Sequence, residues 1–148
     1  MLFRSVRGIS VATPNRKEAF HGARRTDPGA GADPLSDAAL LGAARVLLRR
    51  WAPRHLLVTL GPQGMLLAAP GEKPRHIPTR ALAVYDVSGA GDTVIAVCVL
   101  ALAAGATDEE AAEIANYAAG VVVAKLGTAT CTPAELIAHM RECGAEEG

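Results

Sequence analysis

The sequence predicts an α/β fold in which helices flank a layered, mainly parallel sheet. Three observations predict it. HLLVTL (His55–Leu60) is a continuous apolar run of strand length, the pattern of a strand covered on both faces. After Ser36, residues Leu40, Leu41, Ala44, Leu47 and Leu48 recur at spacings of three and four, which makes one apolar stripe along a helix. β-prone and helical stretches alternate along 148 residues, half of them hydrophobic, enough chain to bury a core in one globular unit.

Taken in order, GISVA (Gly8–Ala12) is a short β-prone run broken by Pro14, with a helix entry at Asn15 and NRKEAF opening a helix or turn. GARRTDPGAGADP, residues 22–34, is rich in Gly, Pro and Asp and is expected to be a mobile loop. Ser36 is expected to cap the amphipathic helix, which ends near Trp51 and Pro53. GPQG then turns HLLVTL back into MLLAA, a compact strand-turn-strand unit. RHIPTR and ALAVY (Ala81–Tyr85) continue the β character, and VIAVCVLALAAG reads as a helix interior. Thr107 or Asp108 is expected to cap a helix from Glu109 through Ala124. Thr132-Pro133-Ala134-Glu135 opens the last helix with a capping hydroxyl, a first-turn proline and a glutamate three residues after the cap.

Composition excludes several classes of function. The formal net charge is zero, and Lys/Arg cluster only in pairs such as Arg24-Arg25 and Arg49-Arg50, so no nucleic-acid partner is expected. At 3% aromatic content, base-stacking platforms are not expected either. Cys98, Cys131 and Cys143 lack CxxC spacing and cannot all pair, which fits a reducing, cytoplasmic setting. Cys98 reads as a small buried hydrophobe. His21, His55, His76 and His139 have no ligand spacing for a metal cage. The longest apolar run, Thr93 to Gly105, is too short for a bilayer, and MLFRSVRGISV has no sustained apolar core for export. A soluble protein without a membrane partner is expected.

The stretch with chemical content is DVSGAGDTV, Asp86 to Val94, a tight turn between ALAVY and the apolar helix. One reading is structural: glycine permits unusual backbone angles, and Ser88 or Asp92 caps the helix. The other is chemical: unpaired N–H groups at a helix start bind an anion, and a fixed carboxylate beside them accepts a proton from an attacking hydroxyl. TPNRKE after GISVA, GPQG after HLLVTL and GAGD after ALAVYDV all follow candidate strands, where a parallel sheet binds its ligands. No Walker A sequence and no GxGxxG fingerprint occur, which argues against P-loop enzymes and Rossmann dehydrogenases.

DVSGAGDT closely resembles the C-terminal signature of the ribokinase-like, or phosphofructokinase-B, sugar kinases. TPNRKE, LLVTLGPQGM, IPTRALAVYDVSGAGDTVIA and ANYAAGVVVAKLGTATCTPAEL extend the likeness over nearly the whole chain, to the heptose 7-phosphate kinase domain of bacterial ADP-heptose synthesis. The resemblance implies a ribokinase-like fold and ATP-dependent phosphorylation of a sugar phosphate, with heptose 7-phosphate accepting at its anomeric hydroxyl. It implies Asp92 as catalytic base, with the N–H groups around Gly89, Ala90 and Gly91 holding the transferring phosphoryl group. Asn15 and Glu18 match the family's Asn-x-x-Glu motif, which implies magnesium and phosphate placement with Glu18 reaching magnesium through water; an Asn cap with a first-turn glutamate is the structural alternative. Thr59, Gly61 and Gly64 match the family's nucleotide loop, although a plain hairpin turn has the same residues. Asn116 matches a position close to the adenine; on its own it reads as an exposed helix position. Asp86 and Ser88 match positions near a monovalent cation, potassium, in some members.

Members of the family are longer, and their N-terminal half supplies much of the sugar pocket, the lid and several strands. Residues 1–148 therefore resemble a single partial kinase domain, the C-terminal, nucleotide-binding half, without the nucleotidyltransferase domain of bifunctional heptose enzymes. A parallel sheet cut there exposes an apolar edge and face, so a homo-oligomer or a separately encoded N-terminal kinase half is expected to cover it. The alternatives are a truncated, non-catalytic nucleotide-binding remnant or split-kinase subunit, and a kinase for another sugar or a nucleoside.

Overall fold

A computed structural model describes residues 9–146, so Gly8 of GISVA and most of MLFRSVRGISV lie outside the described residues. The chain divides into two compact units, one through Pro78 and one from Thr79.

The first unit holds β1 (Val11–Ala12), α1 (Arg16–Ala23), α2 (Ala38–Trp51), β2 (His55–Thr59), a single 3-10 turn (Gly61–Gln63), β3 (Met65–Ala68) and β4 (Arg75–Ile77). The strands lie in the order β1-β2-β3-β4. Sheet and flanking helices agree with the α/β expectation, but the strand directions correct the expected mainly parallel sheet. β1 and β2 are parallel, whereas β2–β3 and β3–β4 are antiparallel. The reason is connection length: GPQG can only fold a strand back on its neighbour, while the parallel pair has two helices between its members. The register sets Leu56 opposite Ala68 and Val58 opposite Leu66. These side chains join Phe20, Leu40, Leu47 and Trp51 in one core between sheet and helices. Each fully buried leucine there stabilises the unit by about 1.5–3 kcal/mol relative to exposure.

Two local expectations are also corrected. Asp37, not Ser36, caps α2, its carboxylate accepting from the Leu40 amide; the Ser36 hydroxyl donates instead to Asp33 at 2.6 Å. The start of the 22–34 segment, Gly22 and Ala23, belongs to α1, which stops at Arg24 in left-handed conformation.

The second unit is helical: α3 (Ala90–Ala103), α4 (Asp108–Val123) and α5 (Pro133–Glu146). ALAVY is not a strand here, because its segment forms no ladder. Leu82, Ala83, Val84 and Tyr85 are all exposed rather than alternating, and the Tyr85 and Asp86 amides both donate to the single Val123 carbonyl at the end of α4. α4 packs against both α3 and α5. Gly120 of α4 permits the closest approach: a Cβ there would sit 2.7 Å from His139 Nε2 of α5 and 2.8 Å from the Arg80 carbonyl oxygen. Thr107 and Thr132 begin α4 and α5 as expected, each in a reciprocal capping box, with Glu110 and Glu135. α3 is apolar around most of its circumference, yet buries only Val94 and Cys98.

Candidate active site

In the first unit the site residues gather where β1 and β2 end. Asn15 forms a parallel bridge with Thr59, and the Thr59 amide donates to the Pro14 carbonyl at 3.0 Å. The Asn-x-x-Glu motif is a capping box: Asn15 Oδ1 accepts from the Glu18 amide at 2.9 Å and Glu18 Oε2 accepts from the Asn15 amide at 2.8 Å. The box turns the Glu18 carboxylate toward the positive end of α1, beside Asn15, and both residues are exposed. The box engages Glu18 Oε2, and an exposed carboxylate of this kind is the type of group that can meet a hydrated magnesium ion. No cluster of three or more metal-ligating side chains occurs among the described residues.

Past Thr59, the chain makes one tight turn. The Gly64 amide donates to the Gly61 carbonyl at 2.9 Å and the Leu60 amide to the Gly64 carbonyl at 2.8 Å, with positive φ at both glycines. Gln63 extends sideways from this turn, its Nε2 donating to the Gly31 carbonyl at 2.7 Å. His76 Nε2 of β4 meets the Gln63 carbonyl at 2.5 Å.

In the second unit, the stretch from Asp86 to Asp92 is a braced turn leading into α3. Asp86 Oδ1 accepts from the Ser88 amide at 2.9 Å and Oδ2 from the Gly127 amide at 3.0 Å. The Ser88 hydroxyl first, then the amides of Ser88 and Gly127, hold the Asp86 carboxyl below its ordinary range. Neither Ser88 nor Asp92 caps α3, contrary to the structural reading of the motif. The cap position is Gly89, at φ 78° and ψ −2°, a left-handed conformation that offers no side-chain oxygen to the helix amides. Ala90 turns its amide to the Val87 carbonyl at 3.3 Å, while the Gly91 and Asp92 amides have no acceptor among the described residues. Two bare amides therefore sit at the positive end of a 14-residue helix, with the exposed Asp92 carboxylate in the same turn.

The α4–α5 connection lies against this turn. Thr128 Cγ2 is 3.6 Å from where a Gly89 Cβ would be, and Lys125 Nζ anchors the connection to the Thr130 carbonyl at 2.7 Å and Glu135 Oε1 at 2.6 Å. Lys125 first, with the Thr132 amide and hydroxyl, pulls the Glu135 carboxyl down to about 2. Asn116 is not the exposed helix residue that its neighbours suggest. At 3% exposure it is a buried polar residue of α4.

The structure thus brings Asn15, Glu18, Thr59, Gly61 and Gly64 together in one unit, and Asp86, Ser88, Gly89, Ala90, Gly91 and Asp92 together in the other. Sequence reasoning missed Gly127 and Arg16. Arg16 carried a signal: a cation in the first turn of a helix opposes the helix dipole and needs nearby carboxylates, which the following aspartate-rich segment supplies.

An α/β chain with a bare-amide turn opening a helix and a carboxylate beside it has the makings of a phosphate-handling protein. Residues 3–135 match the pfkB family of carbohydrate kinases, and the chain belongs to that family. It is 45% identical over 142 residues to the bifunctional protein HldE of Desulfatibacillum aliphaticivorans, covering 96% of this chain and 28% of that protein. Against HldE of Pectobacterium atrosepticum the identity is 46% over 136 residues, covering 90% of this chain and 26% of that protein. The chain thus spans about a quarter of the length of these curated relatives. Among solved structures it is similar to Arabidopsis thaliana ribokinase complexed with ribose and ATP, at TM-score 0.73 and 25% identity, over 90% of this chain and 41% of that one. Phosphofructokinase-2 from Escherichia coli in complex with potassium shares the fold at TM-score 0.76 and 22% identity, over 93% of this chain and 42% of that one. No described helix is long and apolar enough to cross a membrane.

Proposed function

We propose that this chain serves ATP-dependent phosphoryl transfer to a sugar hydroxyl, with the anomeric hydroxyl of heptose 7-phosphate as acceptor, in ADP-heptose synthesis. The observation that carries the reading is the start of α3, where the bare Gly91 and Asp92 amides adjoin the Asp92 carboxylate. In the reaction the sugar oxygen attacks the γ-phosphorus of ATP, Asp92 accepts the hydroxyl proton, and the bond to ADP breaks. The bare amides of Gly91 and Asp92, presented by the turn that Gly89 and Ala90 make, oppose the charge on the transferring oxygens. Such transfer depends mostly on positioning and charge stabilisation, so fixed backbone dipoles suit it. A general base contributes about 10²–10⁴-fold and one lost oxyanion donor costs about 10²–10³-fold.

The same proposal assigns Thr59, Gly61 and Gly64 to the nucleotide, Asn116 to the adenine end, and Asn15 and Glu18 to magnesium through water. Magnesium, when bound, offsets phosphate charge. A monovalent cation beside Asp86 and Ser88 fits a carboxylate that accepts from the Ser88 amide and hydroxyl and from the Gly127 amide and keeps one acceptor position. Potassium accompanies the related E. coli enzyme. The HldE relatives support the heptose acceptor, and a kinase acting on phosphorylated sugars belongs in the cytoplasm.

A second reading is a non-catalytic nucleotide-binding piece or split-kinase subunit, favoured by α3. A helix apolar around most of its circumference that buries only Val94 and Cys98 calls for a cover, either a second copy or an N-terminal kinase half. Thermal unfolding with and without MgATP, followed by ADP release with a panel of sugar phosphates, sugars and nucleosides, tests both. Stabilisation by MgATP with heptose-dependent ADP release supports the kinase. Stabilisation without turnover for any acceptor supports the second reading, and no stabilisation sinks both.

A further inference from the structure

Arg16 sits in the first turn of α1, between the two members of the Asn15–Glu18 box, and its guanidinium is only 14% exposed. A cation at this helix position is disfavoured by the dipole, so it must be held by something stronger. Nε and Nη2 grip Asp27 in a fork, at 3.0 and 2.8 Å. Nη2 also donates to the Gly29 carbonyl at 2.7 Å, and Nη1 to Asp37 Oδ2 at 2.9 Å. The guanidinium carbon lies 4.9 Å from the centre of the Phe20 ring. Only a planar guanidinium can make all these contacts at once.

Each partner of Arg16 leads onward. Asp37, 7% exposed, caps α2 through Oδ1 and draws the Gly31 amide to Oδ2 at 3.5 Å. Asp27 Oδ1 accepts the Gly29 amide at 3.0 Å. The residues between them are thereby held so that the Gly31 carbonyl meets Gln63 Nε2 in the Gly61–Gly64 turn. A connected set of hydrogen bonds therefore runs from the first turn of α1, through the 27–37 segment, to the side of the glycine turn. Without the arginine, Asp27 and Asp37 would face one another as like charges, and the segment that carries Gly31 would be driven open.

We infer that Arg16 is a positioning residue for the Gly61–Gly64 turn, acting through Asp27, Asp37, Gly31 and Gln63. Its consequence for ATP rests on the nucleotide role proposed above for that turn; its consequence for the turn itself does not. Arg16→Met removes the fork, Arg16→Lys keeps only the charge, and Gln63→Met cuts the last link from the other side.

The test is amide hydrogen exchange of the full chain, read at Gln63 and Gly64, together with MgATP titration. Arg16→Met is expected to speed exchange at these two amides and to weaken MgATP binding, each by about tenfold, with Arg16→Lys between it and the parent. Gln63→Met should do the same while leaving the Leu40 amide at the α2 cap protected. The double variant should be no worse at the turn than Arg16→Met alone, because both changes break one chain of contacts. Faster exchange confined to residues 27–37, or fully additive effects at the turn, would overturn the inference. If Arg16→Met does not fold, an unaltered turn in Gln63→Met overturns it equally. If the parent chain does not bind MgATP, the nucleotide assignment fails while the exchange arm still decides the coupling.

Discussion

Asp86 and Gly127 stand 41 positions apart in sequence and are joined by a 3.0 Å hydrogen bond from the Gly127 amide to Asp86 Oδ2. The bond ties the turn before α3 to the α4–α5 connection, while Oδ1 of the same carboxylate closes the local turn at Ser88. Protonating Asp86 weakens both. Its carboxyl is held below the ordinary 3.8, so the contribution is complete above that value and is lost as pH falls through the lower folded one. The Gly127 amide resonance should titrate with a midpoint below 3.8, and Asp86→Asn should flatten that titration. A midpoint at or above the ordinary value would mean that the brace is absent in solution.

Asp92→Asn should lower turnover by about 10²–10⁴-fold while leaving MgATP affinity within a few-fold, since it removes a base and leaves the helix amides in place. Steady-state kinetics with titration calorimetry would show the split. Equal loss of binding and turnover would instead make Asp92 part of the nucleotide site.

Glu18→Gln separates cap from metal contact. A glutamine still accepts from the Asn15 amide, so the melting temperature should stay within a degree or two, the effect of a few tenths of a kcal/mol. The magnesium concentration needed for half-maximal ATP binding should rise. An unchanged magnesium dependence would leave Glu18 as a helix cap alone.

Gly120→Ala should destabilise the second unit by about 1–3 kcal/mol, read from the midpoint of urea unfolding. Alanine is the better helix former by up to about 1 kcal/mol, which opposes the change. The added carbon, however, meets the Arg80 carbonyl at 2.8 Å, backbone that cannot swing aside as a flexible side chain could. A stabilised variant would show that α4 and α5 pack less closely.

Glu135→Gln should remove an acid-range dependence of α5. The Glu135 carboxyl lies at about 2, against an ordinary 4.5, so its contribution is complete above 4.5 and lost as pH falls toward 2. Exchange of the first α5 amides followed down this range should steepen in the parent and stay flat in the variant.

Much of this was legible in the residues because local chemistry decided it. The capping boxes at Asn15, Thr107 and Thr132, the hairpin at GPQG and the buried Cys98 each follow from a handful of neighbours. Strand direction was less legible, since the apolar run at His55–Leu60 shows burial without showing which way its partner runs. ALAVY has strand composition, but composition cannot supply a neighbour to pair with. Ser36 and Asp37 are both good caps by type, and the choice fell to Asp37 because Arg16, far back in sequence, binds it. Asn116 was misread because burial of one amide in an alanine-rich helix depends on what packs over it.

Four of the five described helices begin with a side chain bound to their own first amides: Asn15, Asp37, Thr107 and Thr132. α3 begins with a glycine that can do nothing of the kind. A protein engineer ranking positions by helix-start quality would therefore select Gly89 first for improvement. The gain would be illusory, for a serine or aspartate would have to adopt φ 78°, and any oxygen that reached the Gly91 and Asp92 amides would compete with the phosphate proposed to bind there. Under the proposed phosphoryl transfer, a screen of this chain that rewards heat resistance alone would select against the reaction.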